Sequence, residues 1–355
     1  MKHLLFALTF LSLTSVIFAQ SLSGPESVEF DQLNNRYLVS NKGTVKSIQS
    51  LVPGQSPVLF TSNVTNPAGL EIVGNKLWVC DATRIKSFDL TTGLLVNNIN
   101  VGGTFLNGIT SDGSQYLFVS DFSAKKIYRI NILTEAFNVM VTNTVSSPNG
   151  MWYDGANNRL VFVNWGGSAA IKAVSLADSS LSTITTTSLS NCDGIGRDGS
   201  GNYYVSAWGQ QSIYKFDNVF GTPTQVVTGL SNPADIFYNT LNDTLAVPNT
   251  QNNTVTFHYM GSSANLSSID KLGSIILFPN PIQQDEVLSF QLSSAAHVSL
   301  KICTIDGRII EEPLNEFKQK GAVFIDLKNF NLPSAQYIYF LEVGGQIIEG
   351  KLMVY

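Results

Sequence analysis

Leu106-Asn107-Gly108, followed after a short apolar run and a polar turn by Leu117-Phe118-Val119-Ser120-Asp121, decides the fold, because the chain repeats it. The same unit reads Pro25-Glu26-Ser27 to Tyr37-Leu38-Val39-Ser40-Asn41, and Pro67-Ala68-Gly69 to Leu77-Trp78-Val79-Cys80-Asp81. It returns as Pro148-Asn149-Gly150 to Val161-Phe162-Val163-Asn164-Trp165, and as Cys192-Asp193-Gly194 to Tyr203-Tyr204-Val205-Ser206. The last copy is Pro233-Ala234-Asp235 to Leu245-Ala246-Val247-Pro248-Asn249. The third residue falls at 27, 69, 108, 150, 194 and 235, so the steps are 42, 39, 42, 44 and 41 residues. Runs rich in Val, Ile, Phe, Tyr and Thr between Gly, Asn, Asp and Ser turns read as strands, and no window of the mature chain has a helical period. A repeat of about forty residues is one four-stranded blade. The reading is all-β: a six-bladed β-propeller over residues 20–260. The sixth unit ends near Gly261 before a fourth strand, so residues 20–24 are expected to supply it and leave no sheet edge open.

Working outward, residues 1–19 carry a polar start at Lys2 and His3, an apolar run from Leu4 to Phe18, and Ala19 before Gln20. That is the order of a secretory signal peptide, and about 15 apolar residues fall short of the ~20 that span a bilayer. Only 13% of residues are charged and the net charge is −5, which excludes the basic stripe that binds nucleic acid. The 3 cysteines, Cys80, Cys192 and Cys303, are too widely spaced for a disulfide framework and read as small buried apolar side chains. A monomer, secreted or held at the cell surface, is expected.

Residues 261–274 have little pattern and read as a linker. Over 275–355 the forty-residue period stops, and strand-like runs at Val287–Leu292, Val298–Ile302, Val323–Leu327, Tyr337–Val343 and Gln346–Val354 predict a small Ig-like sandwich. Phe278-Pro279-Asn280-Pro281, then Ile302-Cys303-Thr304-Ile305-Asp306-Gly307-Arg308, Ile325-Asp326-Leu327, Tyr337-Ile338-Tyr339-Phe340 and Gly350-Lys351-Leu352 stand in that order. The segment resembles the type A C-terminal sorting domain of the type IX secretion system. Ala335-Gln336 stands where that family usually has a Gly. The resemblance implies passage through the type IX machinery by way of this tail. An ordinary accessory sandwich that binds carbohydrate is the other reading.

In a propeller the first strand of each blade lines the central channel, and its start lies at the same mouth in every blade. The second residue of each repeat therefore forms a ring: Glu26, Ala68, Asn107, Asn149, Asp193 and Ala234. Two alanines against four oxygen-bearing side chains mark the ring as specialised. Hard oxygen ligands suit Ca²⁺, or Mg²⁺ in a stricter geometry. Two carboxylates ~5 Å apart at an effective dielectric of ~20 repel by about 3 kcal/mol. The pair formed by Glu26 and Asp193 thus requires a cation or a shared proton.

Glu26-Ser27-Val28-Glu29-Phe30-Asp31, Pro148-Asn149-Gly150-Met151 and Asp193-Gly194-Ile195 resemble motifs of the gluconolactonase and senescence-marker-protein family. The resemblance spans about residues 24–257. It implies Glu26, Asn149 and Asp193 as ligands of a divalent cation, most readily calcium, and Asn107 as a contact to substrate or metal. Phe105 stands where some sugar-lactone members carry an Arg that holds substrate. Non-catalytic NHL-type propellers use similar loops, and Asn-Gly and Asp-Gly are also ordinary turn dipeptides.

Two functions follow as expectations. One is a cation-dependent hydrolase of a small lactone or ester, with the ion polarising the carbonyl, Asn107 bonding substrate and Asp193, or water beside it, taking the proton. The other is a non-catalytic propeller that binds a surface glycan or a protein. Of the histidines left in the mature chain, His258 falls late in the sixth repeat and His297 in the tail, so a His-dependent nucleophile or a zinc site lacks its parts. Gly194-Ile195-Gly196-Arg197-Asp198-Gly199 spells a dinucleotide fingerprint without the helix that would make it one. Asn41, Asp81, Asp121 and Asn249 end second strands and read as turn caps. Trp165 and Trp208 read either as an apolar wall for a substrate or as packing between blades.

Overall fold

The computed structural model describes residues 22–53, 55–260, 282, 287–292, 295–304, 308–326, 330, 332–344 and 346–354. The signal segment, the linker, the Phe278–Pro281 motif and Asp306-Gly307 lie outside them. The chain divides into two compact units, residues 1–261 and 262–355.

In the first unit five four-stranded antiparallel sheets follow one another in sequence order, each a simple meander, and a three-stranded sheet follows them. The innermost strands are Pro25–Asp31, Pro67–Val73, Leu106–Ser111, Pro148–Asp154, Cys192–Arg197 and Phe237–Asn239. Each lies against the next, and the last returns to the first, so they enclose a channel. The unit is a six-bladed β-propeller. The apolar runs of the second strands explain how the blades pack. On Tyr116–Asp121, Leu117 and Val119 join Trp78, Cys80 and Ile85 of blade 2, while Phe118 joins Met151, Leu160 and Phe162 of blade 4. Successive side chains face opposite sides of a strand, and here both sides are interior, so the run is continuous rather than alternating. Six such wedges, one at each blade boundary, make up the core.

Of residues 20–24, expected to supply the fourth strand of blade 6, residues 20 and 21 lie outside the described residues. Residues 22–24 do not extend blade 6; Gly24 has φ +55° and the carbonyls of Ser23 and Gly24 accept the Gly43 and Lys42 N–H groups of blade 1. Blade 6 has three strands among the described residues, ending with Thr254–Tyr259. Its seam with blade 1 is made by the parallel bridge Ser27–Asp235, the Asp235 N–H to Glu26 carbonyl bond of 2.8 Å, and an apolar wedge of Leu22, Val28, Tyr37, Val39 and Ala246.

The second unit packs the pair Val287–Leu292 and Gly321–Asp326 against a four-stranded sheet of Ile309–Lys318, Ala296–Cys303, Ala335–Val343 and Gln346–Val354. Phe290, Val323 and Ile325 from one sheet meet Leu300, Ile302, Tyr337 and Leu341 from the other, as in a sandwich. Ile309–Lys318 is a strand the sequence pattern did not mark. All three cysteines are buried free thiols. Among the described residues no helix is long and apolar enough to cross a membrane.

Candidate functional site

One local device, repeated around the ring, aims the second residue of each unit into the mouth. Pro25 pairs with Asn41 but Val28 with Val39, so three steps on the inner strand match two on its neighbour. The same extra residue occurs in blades 2 to 5. Such bulges re-aim side chains. Hydroxyls on the second strands fasten them: the Ser27, Gly108 and Gly194 N–H groups donate to Ser40, Ser120 and Ser206 Oγ at 2.9, 2.8 and 2.7 Å. Ser120 and Ser206 then donate onward to the Asn149 and Ala234 carbonyls of the next blade, at 3.0 and 2.7 Å. Glycine follows the ring residue for a packing reason. A Cβ on Gly108 would sit 2.2 Å from the Asn149 carbonyl oxygen, and one on Gly194 2.4 Å from the Ile236 nitrogen. At the seam the equivalent positions are Ser27 and Asp235, whose side chains bond each other at 2.8 Å.

Glu26, Asn107, Asn149 and Asp193 are all buried at this mouth, and the structure brings them together. Asn107 Nδ2 donates to Asn149 Oδ1 at 2.6 Å, and Asn149 Nδ2 to the Cys192 carbonyl at 3.4 Å. Asp193 is pushed well above the usual carboxylate range, first by desolvation, then by the charges of Glu26 and Asp235; Lys42 and a hydrogen bond with Asn149 oppose the rise. The ion partner of Glu26 is a residue outside the predicted set: Lys42 Nζ lies 2.9 Å from its Oε1. The Lys42 ammonium thus answers the charge of Glu26, while burial and the neighbouring charges raise the proton affinity of Asp193. The donor chemistry suits a hard cation, yet Glu26 Oε1 and Asn149 Oδ1 already have partners. Among the described residues no three His, Cys, Asp or Glu side chains are grouped to hold a metal, so an ion here would depend on the amide oxygens.

Above this ring stands a second one. Lys42, Ala82, Phe122, Trp165, Trp208 and Thr250 each follow the end of a second strand. In every blade that residue's N–H donates to a carbonyl just before the inner strand, at Gly24, Asn66, Phe105, Ser147, Asn191 and Asn232 respectively. The six positions are therefore equivalent, while their side chains are not. Phe105, Phe122, Trp165 and Trp208 are half-buried and touch in sequence, with ring centroids 5.6, 6.0 and 5.2 Å apart. Lys42 extends past blade 2 to lie 4.4 Å from the Phe105 ring centroid. Trp165 and Trp208 accordingly pack against each other across the boundary of blades 4 and 5, as the packing reading expects. Asp81 and Asp121 accept the N–H groups of Thr65 and Asn66 and of Thr104 and Phe105, the capping role expected of them. Lys42, Phe122 and Thr250 escape a reading that takes only the tryptophans of this register; one step past Asn41, Asp121 and Asn249 finds them.

Deeper in, a cavity of about 170 Å³ is lined by all six inner strands. Glu29, Glu71 and Asp235 face it. Desolvation is the chief cause of their raised pKa values. Glu29 is pushed well above the usual range, with Glu71 and Asp235 adding to the rise. Glu71 is pushed up to about 7 although Ser111 donates to it, and Asp235 up to about 7 although Ser27 donates to it. The sequence signal was available: Glu29 and Glu71 stand three residues after Glu26 and Ala68. His258 is far simpler, half-buried on the last strand of blade 6 with Nε2 2.9 Å from Thr256 Oγ1. Gly194 to Gly199 runs from a strand into a turn, with no helix after it.

Solved structures resemble the fold. A Bacteroides thetaiotaomicron protein of unknown function matches with a TM-score of 0.58 at 12% identity, over 67% of this chain and 69% of that one. The β-propeller domain of Cps50 (Swd1) from Myceliophteria thermophila matches with 0.51 at 8%, over 67% and 98%. An auxiliary nutrient binding protein from B. thetaiotaomicron matches with 0.54 at 9%, over 67% and 70%. At these identities the likeness is one of fold. No protein-family model and no curated protein matches the sequence.

Proposed function

We propose that this chain is an exported propeller that binds a sugar at its two-tier mouth. One observation carries the reading: a continuous arc of Phe105, Phe122, Trp165 and Trp208 stands above Asn107, Asn149, Asp193 and Glu26. A sugar ring has apolar C–H faces that stack on aromatic rings and a rim of hydroxyls that needs both donors and acceptors. Amides supply both, and a protonated Asp193 would do the same. A few polar groups on an apolar wall are the usual make-up of a small-molecule site. Export rests on the signal-like segment at 1–19 and on the likeness of 275–355 to a type IX sorting domain; the destination is the cell surface or the medium. Screening the mature chain on a glycan array, with calorimetric titration of the hits, tests the reading. Saturable binding of a sugar is expected; silence across a broad array would remove it.

A second reading is favoured by the suppressed acidity of Asp193 beside Glu26 and Asn149. In it Glu26, Asn149 and Asp193 hold a divalent cation, calcium in the first instance, in a hydrolase of lactones or related esters. Asn107 bonds substrate, as the resemblance to the gluconolactonase family implies. Lys42 must then release Glu26. Metal analysis of the purified chain and lactone turnover for wild type and Asp193→Ala separate the readings; equal turnover in both proteins would end this one.

A further inference from the structure

At the mouth, acceptors outnumber donors. The Cys192 carbonyl can only accept, so Asn149 turns Nδ2 to it and Oδ1 to Asn107, whose Nδ2 donates at 2.6 Å. Asn149 also donates to Asp193. This chain of bonds leaves Asn107 Oδ1 at its free end: the residue is 6% exposed, and no donor among the described residues reaches that oxygen. Glu26, also 6% exposed, spends Oε1 on Lys42, and its Oε2 has no donor among the described residues. Asp193 is 4% exposed and has no ion partner among them. The mouth thus holds two carboxyls, Glu26 and Asp193, and one ammonium. Lys42 shows how an ammonium is received here, with Nζ 2.9 Å from Glu26 Oε1 and 4.4 Å from the Phe105 ring centroid. A buried carboxylate and an aromatic face both favour a cation.

We infer that the sugar taken at the mouth carries a free amino group, and that its ammonium sits against Asp193 and the open oxygens of Asn107 and Glu26. This deepens the sugar reading and rests on it. An ammonium brings three donors and no acceptor, which is what a surplus of buried acceptors lacks. A hydroxyl brings one donor and more acceptors; an N-acetyl group brings one N–H, a carbonyl and no charge. With a ligand ammonium beside Asp193 and Lys42 still on Glu26, the mouth holds two ammonium groups and two carboxylates. An acidic sugar would instead add a third negative charge beside Glu26 and Asp193. A divalent cation would claim the same oxygens, so the two kinds of ligand exclude each other.

The test is calorimetric titration of the mature chain with glucosamine and galactosamine, with glucose and galactose, and with the two N-acetylated amines, with and without EDTA. One amino sugar should bind more than about tenfold tighter than its hydroxyl and N-acetyl counterparts, and EDTA should leave that binding unchanged. Equal affinity for the three forms, or preference for the N-acetyl form, would overturn the inference and leave the sugar reading standing. Loss of amino-sugar binding in EDTA would overturn it in favour of a bound metal. Asp193→Asn removes the carboxylate at nearly constant size and should bring the amino-to-hydroxyl ratio within about threefold; a ratio unchanged from wild type would count against the seat. Should Asp193→Asn fail to fold, the wild-type ratio still decides. Absence of binding to any sugar, here or on the array, removes the sugar reading itself, an outcome distinct from binding without preference for the amine.

Discussion

The acids of the mouth and those of the channel lie a few residues apart, and they differ in whether an ammonium stands beside them. At the mouth Glu26 has a resident ammonium, Lys42, at 2.9 Å. In the channel Glu29, Glu71 and Asp235 have none: their cavity is lined by Thr110, Ser111, Tyr153, Tyr238 and apolar residues, without Lys or Arg. Burial and mutual repulsion there favour the proton instead. The difference teaches that inward-facing acids need not mark a metal site. In one propeller a tethered ammonium answers Glu26, while burial and mutual repulsion raise the proton affinity of Asp193 and of the channel acids.

The largest expected effect comes from disturbing the frame that holds both regions. Gly108→Ala places a methyl group against the Asn149 carbonyl and must spread blades 3 and 4, at a cost of about 3 kcal/mol. Gly167→Ala, whose added methyl meets nothing within 4 Å, is the control and should cost almost nothing. Urea unfolding of the two variants gives the comparison; equal midpoints would mean that blade spacing does not depend on that glycine.

Next is the mouth pair. Lys42→Met strands Glu26, whose side chain is 8% exposed, and should cost about 2 kcal/mol, below a fully buried pair because Lys42 itself is 23% exposed. Adding Glu26→Gln should recover most of the loss. A double variant as unstable as the single would show that the lysine acts by something other than charge.

The channel gives the smallest and most diagnostic effect. Glu71 and Asp235 titrate near 7 in the folded chain, above the ~4 of an unfolded carboxylate. The folded state therefore binds protons that the unfolded state releases, and the stability this contributes is full below about pH 4 and is lost as pH rises through about 7. Glu71→Gln or Asp235→Asn should flatten the decline between pH 5 and 8 and raise stability at pH 8 above that of wild type. An unchanged slope in both variants would mean that the channel acids titrate normally.

How much of this was legible in sequence follows from what repeats. The blades, the ring of Glu26, Asn107, Asn149 and Asp193, and the capping acids Asp81 and Asp121 all sit at fixed offsets in a unit of about forty residues, so register alone located them. The second ring and Glu29 with Glu71 are equally periodic and could be read by moving one or three positions along. What register could not supply is reach. That Lys42 crosses blade 2 to the Phe105 face depends on side-chain length and on a neighbour two blades away. Nor does register show how blade 6 meets blade 1: an open edge argues for a strand, but residues 22–24 turn at Gly24 toward blade 1, and a backbone bridge, the Asp235 N–H to Glu26 carbonyl bond and an apolar wedge join the two blades.

The central claim is that the aromatic arc of the mouth is where a ligand stacks. The chain has 4 tryptophans, and two of them, Trp165 and Trp208, belong to that arc, while Trp78 is buried between blades 2 and 3 and Trp152 lines the channel. Tryptophan fluorescence during a sugar titration separates them. The account predicts a saturable change in the wild-type protein that vanishes in Trp165→Phe/Trp208→Phe while calorimetry still detects binding. A change that persists when only Trp78 and Trp152 remain would contradict it.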